Sequence, residues 1–231
     1  MKGTFFGVSV GPGDPELMTR KAVRVMEHCP VLAVPETAGG KTLALDIARQ
    51  AADLEDKEIV RLRFTMSHDP AVRAACHDGL AQTLRNLLDA GRDVAMLNLG
   101  DVSIYSTFWH LAHILMAEDY PVEIVPGVPS FCAVAAELKT SLTQDMHAPL
   151  HILPARGDLD AQLALPGSKV LMKAGTSLPA VKEALRRAGQ YENAQLVSDC
   201  GLPGQRVAHN LDEIGLEAGY FATIVVKEEK K

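Results

Sequence analysis

Gly11-Pro12-Gly13-Asp14-Pro15-Glu16-Leu17 closes an apolar run from Phe5 to Val10 and opens a helix-like segment from Leu17 to Glu27. A second stretch, Leu97-Asn98-Leu99-Gly100-Asp101, ends another apolar run in the same way. Outward from these, β-branched apolar runs recur at Thr4 to Val10, Val31 to Val34, Ile59 to Leu62, Val94 to Leu97 and Val122 to Val125. Helix-like segments separate them at Leu17 to Glu27, Thr42 to Ala52, Pro70 to Ala90 and Thr107 to Glu118. That alternation predicts an α/β fold with a mostly parallel sheet covered by helices. Ligands of such sheets bind outside the carboxyl ends of the strands, so two Gly-Asp turns at strand ends predict a small-molecule site.

Asp69-Pro70 supplies an N-cap with proline at the first helical position, and Gly91 stands where a left-handed C-cap is expected. Beyond Val125, the turn Pro126-Gly127-Val128-Pro129-Ser130 leads into an alanine-rich helix from Phe131 to about Leu138, and Thr140 to Pro149 reads as a linker. The second half holds short strands at Leu150 to Leu153, Val170 to Met172, Ala194 to Val197, Arg206 to Asn210 and Phe221 to Val226, with one long helix from Pro179 to Ala188. Strands this close together predict an α+β unit with a mixed or antiparallel sheet. The expected organisation is an N-terminal α/β domain at 1–128, a connecting helix and linker at 129–147, and a C-terminal α+β domain at 148–231, with a cleft between the two domains.

The chain has 231 residues, of which 47% are hydrophobic and 23% charged, with a net charge of −6, the composition of an ordinary globular protein. An acidic balance without a basic stripe counts against nucleic-acid binding, which needs phosphate neutralisation. No stretch reaches the ~18 uninterrupted apolar residues of a membrane span, and the start shows no secretory leader. Cys29, Cys76, Cys132 and Cys200 are scattered without a Cys-x-x-Cys pair, which argues against a zinc ribbon or a disulfide framework. The expected compartment is the cytoplasm. Charged residues 227–231 read as a solvated end.

Each motif also has a plain structural explanation. Gly11-x-Gly13 lacks the third glycine of a dinucleotide fingerprint, since position 16 is Glu. Asp14 can simply cap the helix after it, and Asp101 can cap the segment from Tyr105 to Glu118. Alternatively, Gly100 lets a ligand approach the backbone while Asp101 accepts hydrogen bonds from it. His110 and His113 lie one helical turn apart but lack further ligands fixed by sequence, so packing of these histidines beside Trp109 and Phe108 is expected and no protein-bound metal.

Together the motifs are far more specific. Gly-Pro-Gly-Asp-Pro-Glu-Leu-x-Thr at 11–19, Leu-Gly-Asp at 99–101 with Ile104-Tyr105-Ser106-Thr107, and Val125-Pro126-Gly127-Val128-Pro129-Ser130-Phe131 resemble the tetrapyrrole methylases, S-adenosylmethionine-dependent enzymes of corrin and sirohaem biosynthesis. The resemblance covers essentially the whole chain. The run from Gly100 to Phe108 and Leu171-Met172-Lys173 look most like the carbon-20 methyltransferases of precorrin-2 and cobalt-precorrin-2. Two positions depart from the usual pattern: Val102 replaces a proline, and Pro129 stands where a small hydroxyl residue is common.

The resemblance implies a homodimer with S-adenosylmethionine bound in the cleft of each subunit. It implies cofactor contacts from Pro12, Leu99, Gly100, Asp101, Ile104, the Pro129-Ser130 turn, the backbone near Lys173, and Cys200 or Gly201. The implied reaction methylates carbon 20 of a reduced tetrapyrrole, and any cobalt arrives inside that substrate. Because that carbon is electron-rich, alignment is the main task, worth ~7–11 kcal/mol in favourable cases. Loss of its proton needs a base, for which Asp14, Tyr105 and water are candidates. Substrate carboxylates need local cations despite the net negative charge; Lys41, Arg61, Arg63, Arg156, Lys173 and Arg206 are candidates. Two other readings remain: a methylase of the same superfamily acting on another tetrapyrrole or a macromolecule, and a non-catalytic sensor of S-adenosylmethionine or tetrapyrrole.

Overall fold

A computed structural model of the chain describes residues 1–37, 39–143, 145–215 and 218–227. Of the charged end at 227–231, all but Lys227 lies outside the described residues. The chain divides into two compact units, Met1–Pro129 and Ser130–Lys231. The helix beginning at Ser130 is therefore grouped with the second unit.

The first unit is a five-stranded sheet of β1 (Phe5–Ser9), β2 (Val31–Pro35), β3 (Glu58–Leu62), β4 (Val94–Asn98) and β5 (Val122–Val125), in the order β3-β2-β4-β1-β5. Every pairing is parallel, and the register sets Phe5 beside both Val94 and Val122. Four helices connect the strands: α1 (Arg20–His28), α2 (Leu43–Ala48), α3 (Pro70–Asp89) and α4 (Phe108–Ala117). Strand alternation divides the sheet's side chains between two cores. Val8, Leu32, Val34, Ala95 and Leu97 pack with Ala22 and Met26 of α1 and Leu45 of α2. Phe5, Val31, Ala33, Val94 and Met96 pack with Leu84 of α3 and Phe108 of α4. Thus α1 and α2 cover one face and α3 and α4 the other.

Local chemistry sets the helix ends. The segment expected from Leu17 begins instead with a 3-10 turn at Pro15–Leu17, and α1 starts only after Thr19, whose Oγ1 accepts from the Ala22 N–H at 3.2 Å. Asp69 Oδ1 accepts from the Ala71 N–H at 2.8 Å and starts α3 at Pro70, while Gly91 takes φ 74° just beyond its end.

The second unit carries α5 (Ser130–Glu137), β6 (Leu150–Pro154), α6 (Leu159–Leu163), β7 (Ser168–Met172), α7 (Leu178–Arg187), β8 (Ala194–Ser198), β9 (Arg206–Ala208) and β10 (Thr223–Val226). Its sheet order is β6-β7-β10-β8-β9. The β6 and β7 strands are parallel and the remaining pairs antiparallel, so the sheet is mixed, as expected. Leu171, Leu196 and Ile224 pack with Val181 and Leu185 of α7 in a single core.

Among the described residues no helix is long and apolar enough to cross a membrane. All four cysteines are free thiols. Burial, with Asp93 nearby, pushes the Cys29 thiol up to about 12.

The Phe5 and Phe108 rings stack with centroids 5.0 Å apart, and a Cβ on Gly7 would lie 2.7 Å from Phe108 Cζ. Phe108→Ala should lower the unfolding free energy by about 3–5 kcal/mol. Gly7→Ala should destabilise the wild type but be tolerated in the Phe108→Ala background, because the clashing ring is gone. Denaturant unfolding of the four proteins tests this coupling, and additive effects would refute it.

Candidate functional site

Neighbouring strands β1 and β4 send their chains to opposite faces, β1 to α1 and β4 to α4, so a switch point lies at their carboxyl ends. The chains beyond those ends meet there. Val10 N–H donates to the Asn98 carbonyl at 2.9 Å; Gly100 N–H donates to the Gly11 carbonyl at 2.6 Å and Gly11 N–H to the Gly100 carbonyl at 3.3 Å. This reciprocal pair is antiparallel although the strands are parallel, so the chains must turn as they leave the sheet. Gly11 at φ 76° and Gly100 at φ 74° occupy the left-handed region that makes the turn accessible.

The turn after β5 joins the same assembly. Asp101 is only 8% exposed; its Oδ2 accepts from the Gly127 N–H at 2.7 Å, and its Oδ1 accepts from the Ser103 N–H at 2.8 Å and the Ser103 hydroxyl at 2.5 Å. Burial opposes ionisation of Asp101, but the N–H of Gly127 and both donors of Ser103 together hold its carboxyl below the ordinary carboxylate value. Gly127 is required by closeness: an added Cβ would sit 2.5 Å from Ser9 Cβ and 3.0 Å from the Gly100 carbonyl oxygen. The Thr19 hydroxyl donates to the Pro126 carbonyl at 3.4 Å, tying the start of α1 to that turn.

Buried Ser9 accepts from the Val102 N–H at 2.9 Å. Proline at 102 could not make this bond, so the departure from the usual family residue adds a tether here. Trp109 Nε1 donates to the Val102 carbonyl at 3.0 Å. Asn98 Oδ1 accepts from the Ser106 hydroxyl at 2.6 Å, and Ser106 Oγ in turn accepts from the Phe108 N–H at 3.1 Å, which fixes the start of α4 on β4.

Of the sequence-predicted residues, Pro12, Leu99, Gly100, Asp101 and Ile104 belong to this strand-end assembly, with Pro129 at the end of the turn that Asp101 holds. Asp14 accepts from the Glu16 N–H at 2.8 Å and caps the 3-10 turn. Tyr105 stands at φ 49° and 45% exposed on the loop before α4. Ser130 begins α5 in the second unit. Ser9, Asn98, Ser106 and Gly127 complete the framework; the last three stand inside the quoted motifs without a predicted contact, and Ser9 lies outside them. For Ser9 and Asn98 the signal was a polar residue closing an otherwise apolar strand.

The remaining residues gather at one end of the second sheet. There β7 and β8 run the same way with β10 antiparallel between them, so Lys173, Cys200 and Gly201 flank the chain entering β10. Lys173 has φ 59°, Asp199 φ 51° and Gly201 φ 74°. Gly201 N–H donates to Gln205 Oε1 at 2.6 Å, and Gln205 Nε2 donates to Glu137 Oε2 at 2.8 Å. A Cβ on Gly175 would lie 2.0 Å from the Gly219 carbonyl oxygen, and one on Gly219 would lie 2.8 Å from Asp199 Oδ2. Burial, with Glu137 nearby, pushes the Cys200 thiol up to about 11, which makes it a poor nucleophile at neutral pH.

His110 stacks on His77 at 4.5 Å and His113 packs against Trp109 at 5.4 Å. Among the described residues no group of three or more His, Cys, Asp or Glu is arranged to hold a metal ion.

Comparison with known proteins agrees with this arrangement. Residues 4–215 match the family Tetrapyrrole (Corrin/Porphyrin) Methylases. The chain belongs to the tetrapyrrole methylases. It is 32% identical to a cobalt-precorrin-2 C(20)-methyltransferase of Salmonella typhimurium, over 99% of this chain and 98% of that protein. It is 31% identical to a precorrin-2 C(20)-methyltransferase of Sinorhizobium sp, over 97% and 95% of the two chains. The crystal structure of a uroporphyrin-III C-methyltransferase from Thermus thermophilus superposes with a TM-score of 0.69 at 26% identity, covering 98% of this methylase and 93% of that chain.

The Asp101 pKa shift sets a pH dependence for the framework. Its folded value lies below the ordinary 3.8, so its contribution to stability is complete above that value and lost as pH falls through the folded one. Asp101→Asn sets an amide donor against the N–H of Gly127 or of Ser103, whichever way it turns, and should cost about 1–3 kcal/mol in urea unfolding at pH 7. The gap between the two proteins should narrow below pH 3.8; a constant gap across that range would remove the carboxylate from the tether.

Proposed function

We propose that this tetrapyrrole methylase transfers a methyl group from S-adenosylmethionine to carbon 20 of precorrin-2 or its cobalt complex in corrin-ring synthesis. The observation that carries the proposal is its near full-length alignment with two methyltransferases named for that carbon. Their nearly equal identities, 32% and 31%, favour neither the cobalt-containing nor the metal-free substrate.

The residues present fit a bound S-adenosylmethionine. Gly11 and Gly100 put no side chain at the switch point, where they bond each other, and Asp101, Ser9 and Gly127 hold the surrounding loops in place. Pro12, Leu99, Gly100, Asp101, Ile104, Pro129 and Ser130 would hold the cofactor, together with Lys173, Cys200 and Gly201. Asp101 acts mainly through the backbone it fixes, since its hydrogen bonds to Gly127 and Ser103 already engage both oxygens. When bound, S-adenosylmethionine supplies an electrophilic methyl group.

The protein's contribution is then to orient the reactants and to accept one proton. Both side-chain candidates for that base stand on loops of this assembly: Asp14 caps the 3-10 turn through one oxygen, and half-exposed Tyr105 is presented by a loop pinned at both ends. A homodimer belongs to the same proposal and rests on the family resemblance; a cytoplasmic location belongs to it through the four scattered, free cysteines.

Anaerobic incubation with S-adenosylmethionine and precorrin-2, or its cobalt complex, should add one methyl mass unit at carbon 20. Methylation at another carbon, or none despite cofactor binding, would redirect the assignment to another tetrapyrrole or to a sensor. Asp101→Ala should weaken S-adenosylmethionine binding by roughly tenfold, because it releases the Gly127 and Ser103 backbone that the carboxylate holds; unchanged affinity in calorimetry would separate that tether from cofactor binding.

A further inference from the structure

Two arginines and one nearly buried glutamate meet at the carboxyl edge of the first sheet. Glu36 directly follows β2, Arg61 lies in β3, and Arg63 directly follows β3. The parallel register pairs Val34 with Arg61, and the Glu36 N–H continues the ladder by donating to the Leu62 carbonyl at 2.9 Å. Alternation then turns Arg61, Arg63 and Glu36 to the same side of the sheet. Arg61 Nη1 donates to Glu36 Oε1 at 2.6 Å, and Arg63 Nε donates to Glu36 Oε2. The two guanidinium hydrogen bonds, Arg63 first, hold the Glu36 carboxyl below the ordinary carboxylate value.

Exposure is sharply asymmetric. The Glu36 side chain is 2% exposed, whereas those of Arg61 and Arg63 are 54% and 78% exposed. One inward carboxylate therefore orients two outward cations, leaving a net positive charge at a strand end of a chain whose overall charge is −6. Each guanidinium has five N–H donors in a rigid fork suited to a carboxylate, and Glu36 takes one from each in the contacts above. The edge on which they stand also carries the Gly11 and Gly100 loops; β3 lies three strand spacings from β1, about 14 Å.

We infer that Arg61 and Arg63, aligned by the buried carboxylate of Glu36, receive the peripheral carboxylates of the tetrapyrrole substrate. The inference rests on the proposed function for the substrate class and adds the residues that read its rim. Arg61 and Arg63 are binding residues; Glu36 is a positioning residue. Binding should be sensitive to salt, since two exposed cations face anionic groups.

The test compares the wild type with R61Q, R63Q and R61Q/R63Q, together with E36Q and E36Q/R61Q/R63Q. The triple variant removes the carboxylate that R61Q/R63Q would leave buried without its partners. Three quantities are measured: uroporphyrin III binding by fluorescence quenching at low and high salt, S-adenosylmethionine affinity, and KM and kcat on precorrin-2. Each arginine should contribute about tenfold to uroporphyrin III affinity and to KM, with S-adenosylmethionine affinity unchanged and the salt dependence diminished. E36Q keeps both cations and should still raise KM, with kcat retained. Unaltered uroporphyrin III binding and KM in the folded triple variant would overturn the inference, as would failure of the wild type to bind uroporphyrin III or precorrin-2. A wild type that methylates neither form of precorrin-2, yet binds uroporphyrin III through these arginines, would refute the proposed reaction and uphold the anion site.

Discussion

The reciprocal pair of backbone hydrogen bonds between Gly11 and Gly100 is the constraint around which the strand-end assembly is organised. Parallel strands do not exchange two bonds between one pair of residues; that pattern belongs to antiparallel chains. Its appearance just past β1 and β4 requires the chain to turn there, and the left-handed φ of both glycines permits it. Once the two loops are joined, the chains diverge to α1 and α4 on opposite faces of the sheet. The backbone at the switch point is thereby fixed from both sides.

The third loop is held by a different force. Asp101 is buried and ionised, a costly combination unless its oxygens are hydrogen-bonded. Gly127 and Ser103 supply that compensation, and Gly127 can do so because nothing larger fits between Ser9 and Gly100. Ser9 reaches across to Val102, so β1, the β4 loop and the β5 turn become one hydrogen-bonded body. A site made this way is preorganised chiefly through backbone, with side chains serving to hold the chain in its path.

The first sheet is legible in the sequence because its five strands are short, mainly apolar runs, separated by segments long enough for helical crossovers. Finer boundaries depended on capping: Thr19 delays α1, and α2 ends at Ala48 rather than Ala52. The α6 helix at Leu159–Leu163 escaped because five residues give too short a window for helical periodicity, although Asp158 caps it. At the site, the Gly-Asp turns were visible locally, but their partners were not. Ser9 and Val102 are 93 positions apart, and Asp101 and Gly127 are 26 apart. Their pairing follows from the strand order β4-β1-β5, which no local pattern encodes. The same order of β2 beside β3 turns Arg61 and Arg63, ordinary surface charges in the sequence, into a pair sharing Glu36.

A site built from backbone tolerates wide change in side chains. That is consistent with the shared fold of this methylase and the Thermus thermophilus uroporphyrin-III C-methyltransferase at 26% identity. The same economy has a consequence for selectivity. Carbonyl and N–H groups are common to every residue, so a backbone cradle can hold a common methyl donor but cannot by itself distinguish one ring carbon from another. In the proposed reaction, that distinction must come from side chains contacting the tetrapyrrole, which set the angle at which its ring approaches. The outward arginines of the Glu36 pair, and Tyr105 on a loop tethered at Val102 and Ser106, carry exposed side chains on backbone that is held in place. In that proposal, cofactor binding and regiochemistry vary independently: the first would be set by how the loops are tied, the second by what projects beyond them.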